Sequence, residues 1–404
     1  NKYFFIQRDG QVLTTNNLYE EELQPVLNGF KKEGVYKGIV ENISFHENVF
    51  YFGTDESGVI CYSTSGEHIR TLNSSNGLTD VNVENSFIDR DGNLWLNYDK
   101  GLEIIELDAP VRFYNYKTEF YEYVERVYHK DTNLFLATTQ HIYKINNKGE
   151  FNRFNIKNSS KSEAFDLIEN QGDFLAIAYD GILKLNNNLT DSLVNNLYAW
   201  VFEQSSSDKN VIYVGLDNDG VAVMTRKDGQ WKNEALHKDV RGTVRSMCSY
   251  QNKLYFSQIG LGLGVYSEKN DSYKLLKPSF KIEEGDGYVI EEFDDKLWIG
   301  SRRGLLKADG KTLNLANTIA GFSDSTTYVH RLYNDGEGRL WAVLFKNYKK
   351  DNETRVIGYL HKKDGEYVFE TTPFKDLKSA TVQSLSRNGD HMWFSGSEGL
   401  FYHK

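Results

Sequence analysis

A chain of 404 residues exceeds the length of one ordinary domain, roughly 100 to 200 residues, although repeat folds reach such lengths as single bodies. Its 57 acidic and 47 basic residues are scattered and give a net charge of −10, which disfavours recognition of a phosphate backbone. Aromatic residues make up 14% against only 3 Met and 4 Pro, so rings supply the core and strands are favoured. No apolar run approaches the ~18 residues of a membrane helix, and no basic N-terminus leads into a short apolar run as in a signal peptide. The chain starts at Asn1 rather than Met and stops at Lys404 straight after a strand-like run, which suggests a segment of a longer protein. Cys61 and Cys248 each lie inside an apolar strand-like run, so two buried thiols are expected, and no CxxC spacing exists.

Taken from the start, Tyr3 to Thr15 (YFFIQRDGQVLTT) reads as strand, turn, strand, and Tyr19 to Lys32 as a loop with a short helix. One pattern then recurs: an apolar strand, an Asp/Asn/Gly turn, a second strand centred on a large apolar residue, usually aromatic, and a third strand, often opened by Gly. The second-strand anchors are Tyr51, Trp95, Phe135, Leu175, Tyr213, Tyr255, Trp298, Trp341 and Trp393, spaced by 44, 40, 40, 38, 42, 43, 43 and 52 residues. The last spacing is long because a lysine-rich hairpin, KNYKKDNETR, inserts after Phe345. A period near forty made of short alternating strands is the pattern of a propeller blade, since helical repeats of that length would show a 3.6-residue period. Turns such as Asp89-Arg-Asp-Gly92 suit tight hairpins, and Gly58, Gly101, Gly181, Gly220, Gly304 and Gly399 open third strands. Trp95, Trp298, Trp341 and Trp393 are read as core rather than as sugar platforms.

The expected fold is therefore all-β, a β-propeller of four-stranded blades. Residues 1–36 are N-terminal strands and linker that could close the ring, and 37–404 are repeated blades. One ring of eight or nine blades leads; a seven-bladed ring with blades of a neighbouring propeller is the alternative.

Gly77-Leu78, the run through Asp89-Arg-Asp-Gly-Asn-Leu-Trp95, and the closing Gly101-Leu102 resemble the two-component regulator propeller repeat. Asp295 to Leu305 and Asn334 to Trp341 are weaker copies. The resemblance implies the extracytoplasmic sensor of a membrane-spanning bacterial regulator, often from bacteria that degrade polysaccharides, with kinase or helix-turn-helix output elsewhere.

The sequence carries none of the common catalytic signatures. Arg90 and Gly336 stand where a sialidase-type Asp-box needs Asp, and the nine His show no HExxH spacing. There is no GxSxG elbow and no phosphate loop, and Gly260-Leu-Gly-Leu-Gly264 reads as a hairpin. Neither metal nor cofactor is expected. Loops between strands two and three share a face with the links between blades, and there Arg302 and Arg303 could grip a carboxylate or sulfate while Tyr98 and Tyr179 could stack on a pyranose. His141 and Gln258 complete the candidate ligand-binding set. The reading is a ligand-sensing propeller responding to an oligosaccharide or other cell-surface cue, acting through ring or homodimer geometry, without direct nucleic-acid binding or membrane insertion. A protein-binding scaffold is the alternative. A propeller lyase or glycoside hydrolase is a further one, to be marked by a carboxylate pair of raised pKa in the channel.

Overall fold

The computed structural model describes residues 3–6, 11–16, 23–28, 37–74, 78–107, 111–114, 122–130, 133–146, 151–237, 239–309, 311–316, 319–371, 381–396 and 399–403. Among them every regular element is a strand, and all nine anchor residues fall on the second strand of their sheet. The chain divides into two compact units, Asn1–Tyr121 and Glu122–Lys404.

The first unit stacks three sheets. Tyr3–Ile6, Gln11–Thr15 and Gln24–Asn28 pair with one another. Phe4 and Val12 pack this sheet against Phe45 and Phe50 of the next one, built from Val40–His46, Val49–Thr54, Val59–Ser63 and His68–Leu72. Tyr51, Val59 and Cys61 join that sheet to the third, Asn85–Ile88, Asn93–Tyr98 and Gly101–Glu106, through Val83, Leu94 and Leu96. Two expectations are corrected here. The N-terminal strands form their own sheet instead of completing the last repeat, and Gln24–Asn28, placed in a loop with a short helix, is a strand whose backbone pairs with Gln11–Thr15.

The second unit holds seven blades in succession, the fourth and fifth joined into one eight-stranded sheet by parallel pairing of Lys277 and Pro278 with Thr312 and Leu313. Their strands run from 124 to 153, 164 to 195, 199 to 235, 244 to 278, 289 to 315, 328 to 370 and 382 to 403, called blades one to seven below. Consecutive first strands pack on each other, and that of blade seven, Val382–Asn388, packs on that of blade one, Val124–Lys130. Hydrogen bonds cross every junction. Phe202 N donates to Asp166 Oδ2 (2.8 Å), Ser249 N to Glu203 Oε1 (2.7 Å), Ile290 N to Ser246 Oγ (3.2 Å) and Asn334 Nδ2 to Glu292 O (2.8 Å). Arg331 Nε donates to Gln383 O (2.7 Å), Val127 N to Ser384 Oγ (3.1 Å) and Glu169 N to the Tyr128 hydroxyl (3.1 Å), which closes the circuit. These partners matter because an innermost strand is an edge whose free N–H groups would otherwise stay unpaired in the protein interior. The expectation of one ring of eight or nine blades is thus corrected: among the described residues seven blades close on themselves, and the two repeats around Tyr51 and Trp95 belong to the other unit.

The repeat motif has a local cause. Asp89 accepts from the backbone of Asp91 and Asn93 (both 2.9 Å) and from Trp95 Nε1 (2.8 Å). Asp335 does the same for Glu337 N, Arg339 N and Trp341 Nε1 (3.0 Å). One carboxylate ties the turn and the indole six residues on, and these bonds hold the Asp89 carboxyl down at about 2. Gly58, at φ +80°, opens a third strand where a Cβ would stand 2.1 Å from the Leu72 carbonyl oxygen. Cys61 and Cys248 are both buried free thiols.

Candidate functional site

The loop face of the seven-bladed unit is fixed by a repeated bond. The residue after strand two donates to the carbonyl just before strand one: Thr139 to Tyr123 (3.1 Å), Tyr179 to Glu163 (3.2 Å), Asp217 to Tyr198 (2.9 Å) and Ile259 to Thr243 (3.0 Å); in blade six the bond sits one residue further out on each side, Tyr348 to Thr326 (3.0 Å). The two-to-three loops and the blade links therefore share one end of the ring. Just inside that end, the first strands of blades one, two, three, four, six and seven each lose register, as between Val124 and Arg126 or Ala164 and Asp166. Such bulges re-aim side chains. The residues set out of pairing include Glu125, Phe165, Trp200, Arg245, His330 and Gln383; Phe165, Trp200 and Arg245 stack on one another across blades two to four, while His330 is buried against Phe345.

Cations lie over aromatic rings around this face. Lys161 Nζ is 3.8 Å from the centre of Tyr179, and the Arg245 guanidinium is 3.8 Å from that of Trp200, whose other neighbour is Phe165 at 4.7 Å. Arg303 lies 4.9 Å over Phe280, and Arg302 lies 5.9 Å over Tyr328 while its Nη1 pairs with Asp286 Oδ1 at 3.0 Å. Tyr348, on the inserted hairpin, meets Tyr328 at 4.8 Å. A stacked guanidinium keeps its planar fork of donors free for an anion. Beside these groups a cavity of about 270 Å³ is lined by Ser323, Asp324, Thr326, Lys346 and Asn347. Burial lowers the pKa of Lys346, whose ammonium donates to Phe322 O at 2.6 Å.

The six residues singled out by sequence do not all meet. Arg302 and Arg303 share the blade-five loop, and Tyr179 stands exposed on that of blade two. His141 is on the blade-one loop, but its Nδ1 engages Glu122 Oε1 at 2.5 Å and its Nε2 lies 3.2 Å from Arg153 Nη1. Two of the six are buried and hydrogen-bonded within the fold. Gln258 is buried, donating to Arg241 O (2.6 Å) and accepting from the Tyr273 hydroxyl (2.6 Å). Tyr98 belongs to the first unit, and its buried hydroxyl donates to Glu103 Oε2 at 2.7 Å. Both side chains serve the fold. The two-to-three loop of blade seven, residues 397–398, lies outside the described residues.

Sequence reasoning missed the channel wall. Arg126 Nε pairs with Asp166 Oδ1 at 3.0 Å, and Glu203 and Glu291 interact electrostatically with Arg126 and with each other from blades one, three and five. Enclosure by protein raises both: Glu203 to about 7, with repulsion from Asp166 added, and Glu291 to about 8, with repulsion from Glu203 added. Burial also lowers His129 to about 4 and holds His330 neutral. The available signal was a triplet at the start of first strands, an apolar residue, any residue, then a polar one: Val-Glu-Arg, Ala-Phe-Asp, Val-His-Arg and Val-Gln-Ser. Among the described residues no group of three His, Cys, Asp or Glu side chains is arranged to hold a metal ion, and no helix is long and apolar enough to cross a membrane.

Fold and face together define a β-propeller protein with a polar, cation-studded loop face. No family model matches the sequence, and no curated protein matches it. Solved structures do match. The extracellular domain of a hybrid two-component system from B. thetaiotaomicron is 14% identical over 100% of this chain and 55% of its own, with a TM-score of 0.69. A second such domain from the same organism is 11% identical over 98% of this chain and 56% of its own, with a TM-score of 0.57. The extracellular domain of a one-component system from that organism is 11% identical over 99% and 64%, with a TM-score of 0.56. This chain shares their fold and spans 55 to 64% of their length.

Proposed function

We propose that this chain is an extracytoplasmic sensing segment of a bacterial membrane-spanning regulator, and that its seven-bladed unit recognises an oligosaccharide or similar surface cue on the loop face. The observation that carries this reading is the set of guanidinium and ammonium groups stacked on rings at that face, with Arg302 and Arg303 beside a polar cavity. The fold shared with extracellular domains of two-component systems supports the location and the signalling role. Fold alone does not fix function, so the test is direct binding. In a thermal-shift screen against neutral, uronic and sulfated oligosaccharides, one class should raise the melting temperature of the native chain, and Arg302→Ala with Arg303→Ala should remove that shift. No shift with any of them would sink the reading.

The second reading, a glycan-cleaving enzyme, is favoured by Glu203 and Glu291, a carboxylate pair of raised pKa in the channel wall. Acid and base roles, however, need pKa values pushed apart, so that one carboxyl is protonated while the other is ionised. Here both are pushed the same way, and Glu203 is occupied in holding Ser249 N. Release of reducing ends or unsaturated products by the native chain, lost in Glu291→Gln, would restore the enzyme reading.

A further inference from the structure

The link between blades four and five, Ser279 to Tyr288, is an acidic strap laid over the cations of the loop face. Its Asp286 carboxylate holds Arg302 of blade five at 3.0 Å, and its Glu283 Oε2 holds Lys349, on the inserted hairpin of blade six, at 3.2 Å. Phe280 lies under the Arg303 guanidinium, so one short segment engages three cations from two blades. Internal bonds shape it for that: Asp286 Oδ2 accepts from Glu283 N, and Glu283 O from Asp286 N, both at 2.9 Å, which points two carboxylates outward from one tight turn. The Glu283–Lys349 pair is more than half exposed on both sides. Exposed ion pairs of this kind hold weakly, by a factor of about two to five each.

We propose that this strap stands in for the ligand, and that the ligand is a glycan bearing carboxylate or sulfate groups which displace Asp286 and Glu283 from Arg302 and Lys349. The inference rests on the loop face being the recognition face. Carboxylates already occupy these cations, so the geometry of an anion on them is on display. Tyr348, partly exposed against Tyr328 beside Arg302, offers ring surface to a sugar, and the hydroxyl and amide groups of Ser323, Thr326 and Asn347 offer partners for its hydroxyls. Displacement also has a route into the fold. Gly260 N holds Asp286 O at 2.7 Å and Ser257 Oγ holds Tyr288 N at 2.8 Å, so a freed strap loosens the junction of blades four and five.

The test is calorimetric titration of the native chain with oligogalacturonate, a heparin-derived oligosaccharide and a neutral maltooligosaccharide of equal length. An acidic probe should bind with an affinity that falls as salt rises. Glu283→Gln with Asp286→Asn should tighten that binding about three- to tenfold by removing the competing carboxylates. The exposed Glu283→Gln alone should tighten it about twofold and guards against a damaged turn. Arg302→Ala with Lys349→Ala should weaken it at least tenfold. Acidic binding that the Gln/Asn variant leaves unchanged overturns the inference. Binding of the neutral probe alone overturns it too while leaving the recognition reading intact, and absence of binding by all three probes removes both.

Discussion

Trp95 and Trp341 close the same turn in the two units, yet they end in different surroundings. Each indole donates to an aspartate six residues earlier, at 2.8 and 3.0 Å. Trp341 is only 2% exposed because Tyr359 of its own sheet (5.1 Å) and Phe394 of blade seven (5.6 Å) enclose it. Trp95 is half-buried, and its partners across the sheet, Phe87 and Ile104, are 65% and 50% exposed. The turn is thus a local device that works equally in both places, while the burial that converts an aromatic into stability comes from the neighbouring sheet.

The largest expected effect tests that contrast. Trp341→Ala should destabilise the seven-bladed unit by about 3 to 5 kcal/mol in denaturant unfolding, the usual cost of deleting a buried large ring. Trp95→Ala should cost about half as much or less in the first unit, because much of its ring stays hydrated. Equal losses would mean that the turn, not the neighbouring blade, carries the energy. Next in size is Asp166→Ala, which strands the Arg126 guanidinium and the N–H groups of Leu167 and Phe202; a loss of about 3 kcal/mol is expected, with no counterpart in the first unit.

The dependence on pH sharpens the same contrast. Glu203 and Glu291 hold their protons more tightly in the folded ring than the ~4.3 of an unfolded Glu, so their contribution is complete below that value. It fades as pH rises through about 7 and about 8. His129 and His330 act oppositely: held neutral by burial, they favour folding above ~6.5 and oppose it as pH falls toward the folded value, about 4 for His129. The melting temperature of the seven-bladed unit should therefore fall from pH 6.5 to 8, stay nearly level between about 6 and about 4.5 where the two pairs offset each other, and fall again below about 4. Glu203→Gln with Glu291→Gln should flatten the alkaline limb, and a limb that survives the double change would clear the carboxylates of responsibility. Smallest of all, Lys349→Ala removes an exposed pair and should leave the melting temperature unmoved, so any change it makes in ligand binding is a property of the face.

Much of this was legible in the chain itself. The nine anchors, the Asp-Gly turns and the strand-opening glycines fall where the repeat placed them, because each depends on contacts within one sheet. The grouping of Arg302 and Arg303 was equally local, since they are neighbours on one loop. Gln258 and Tyr98 misled for a definite reason: each sits at the end of a second strand, where polarity suggests exposure, but Tyr273 and Glu103 on neighbouring strands absorb their hydrogen bonds. The strand Gln24–Asn28 was obscured by its Pro25, and a proline is tolerated on a sheet edge.

What the sequence by itself determined, then, was the blade: its length, turns, anchors and all-β character, each set by interactions within about forty residues. The tertiary structure alone decided how many blades close on one another. Closure depends on pairings between distant residues, Ser384 with Val127 and Arg126 with Asp166 among them, that no periodicity records. It likewise decided which charges meet. The approach of Glu125 to Arg245 and Arg331 of other blades, and the strap that lays Asp286 on Arg302, exist only once the ring is formed.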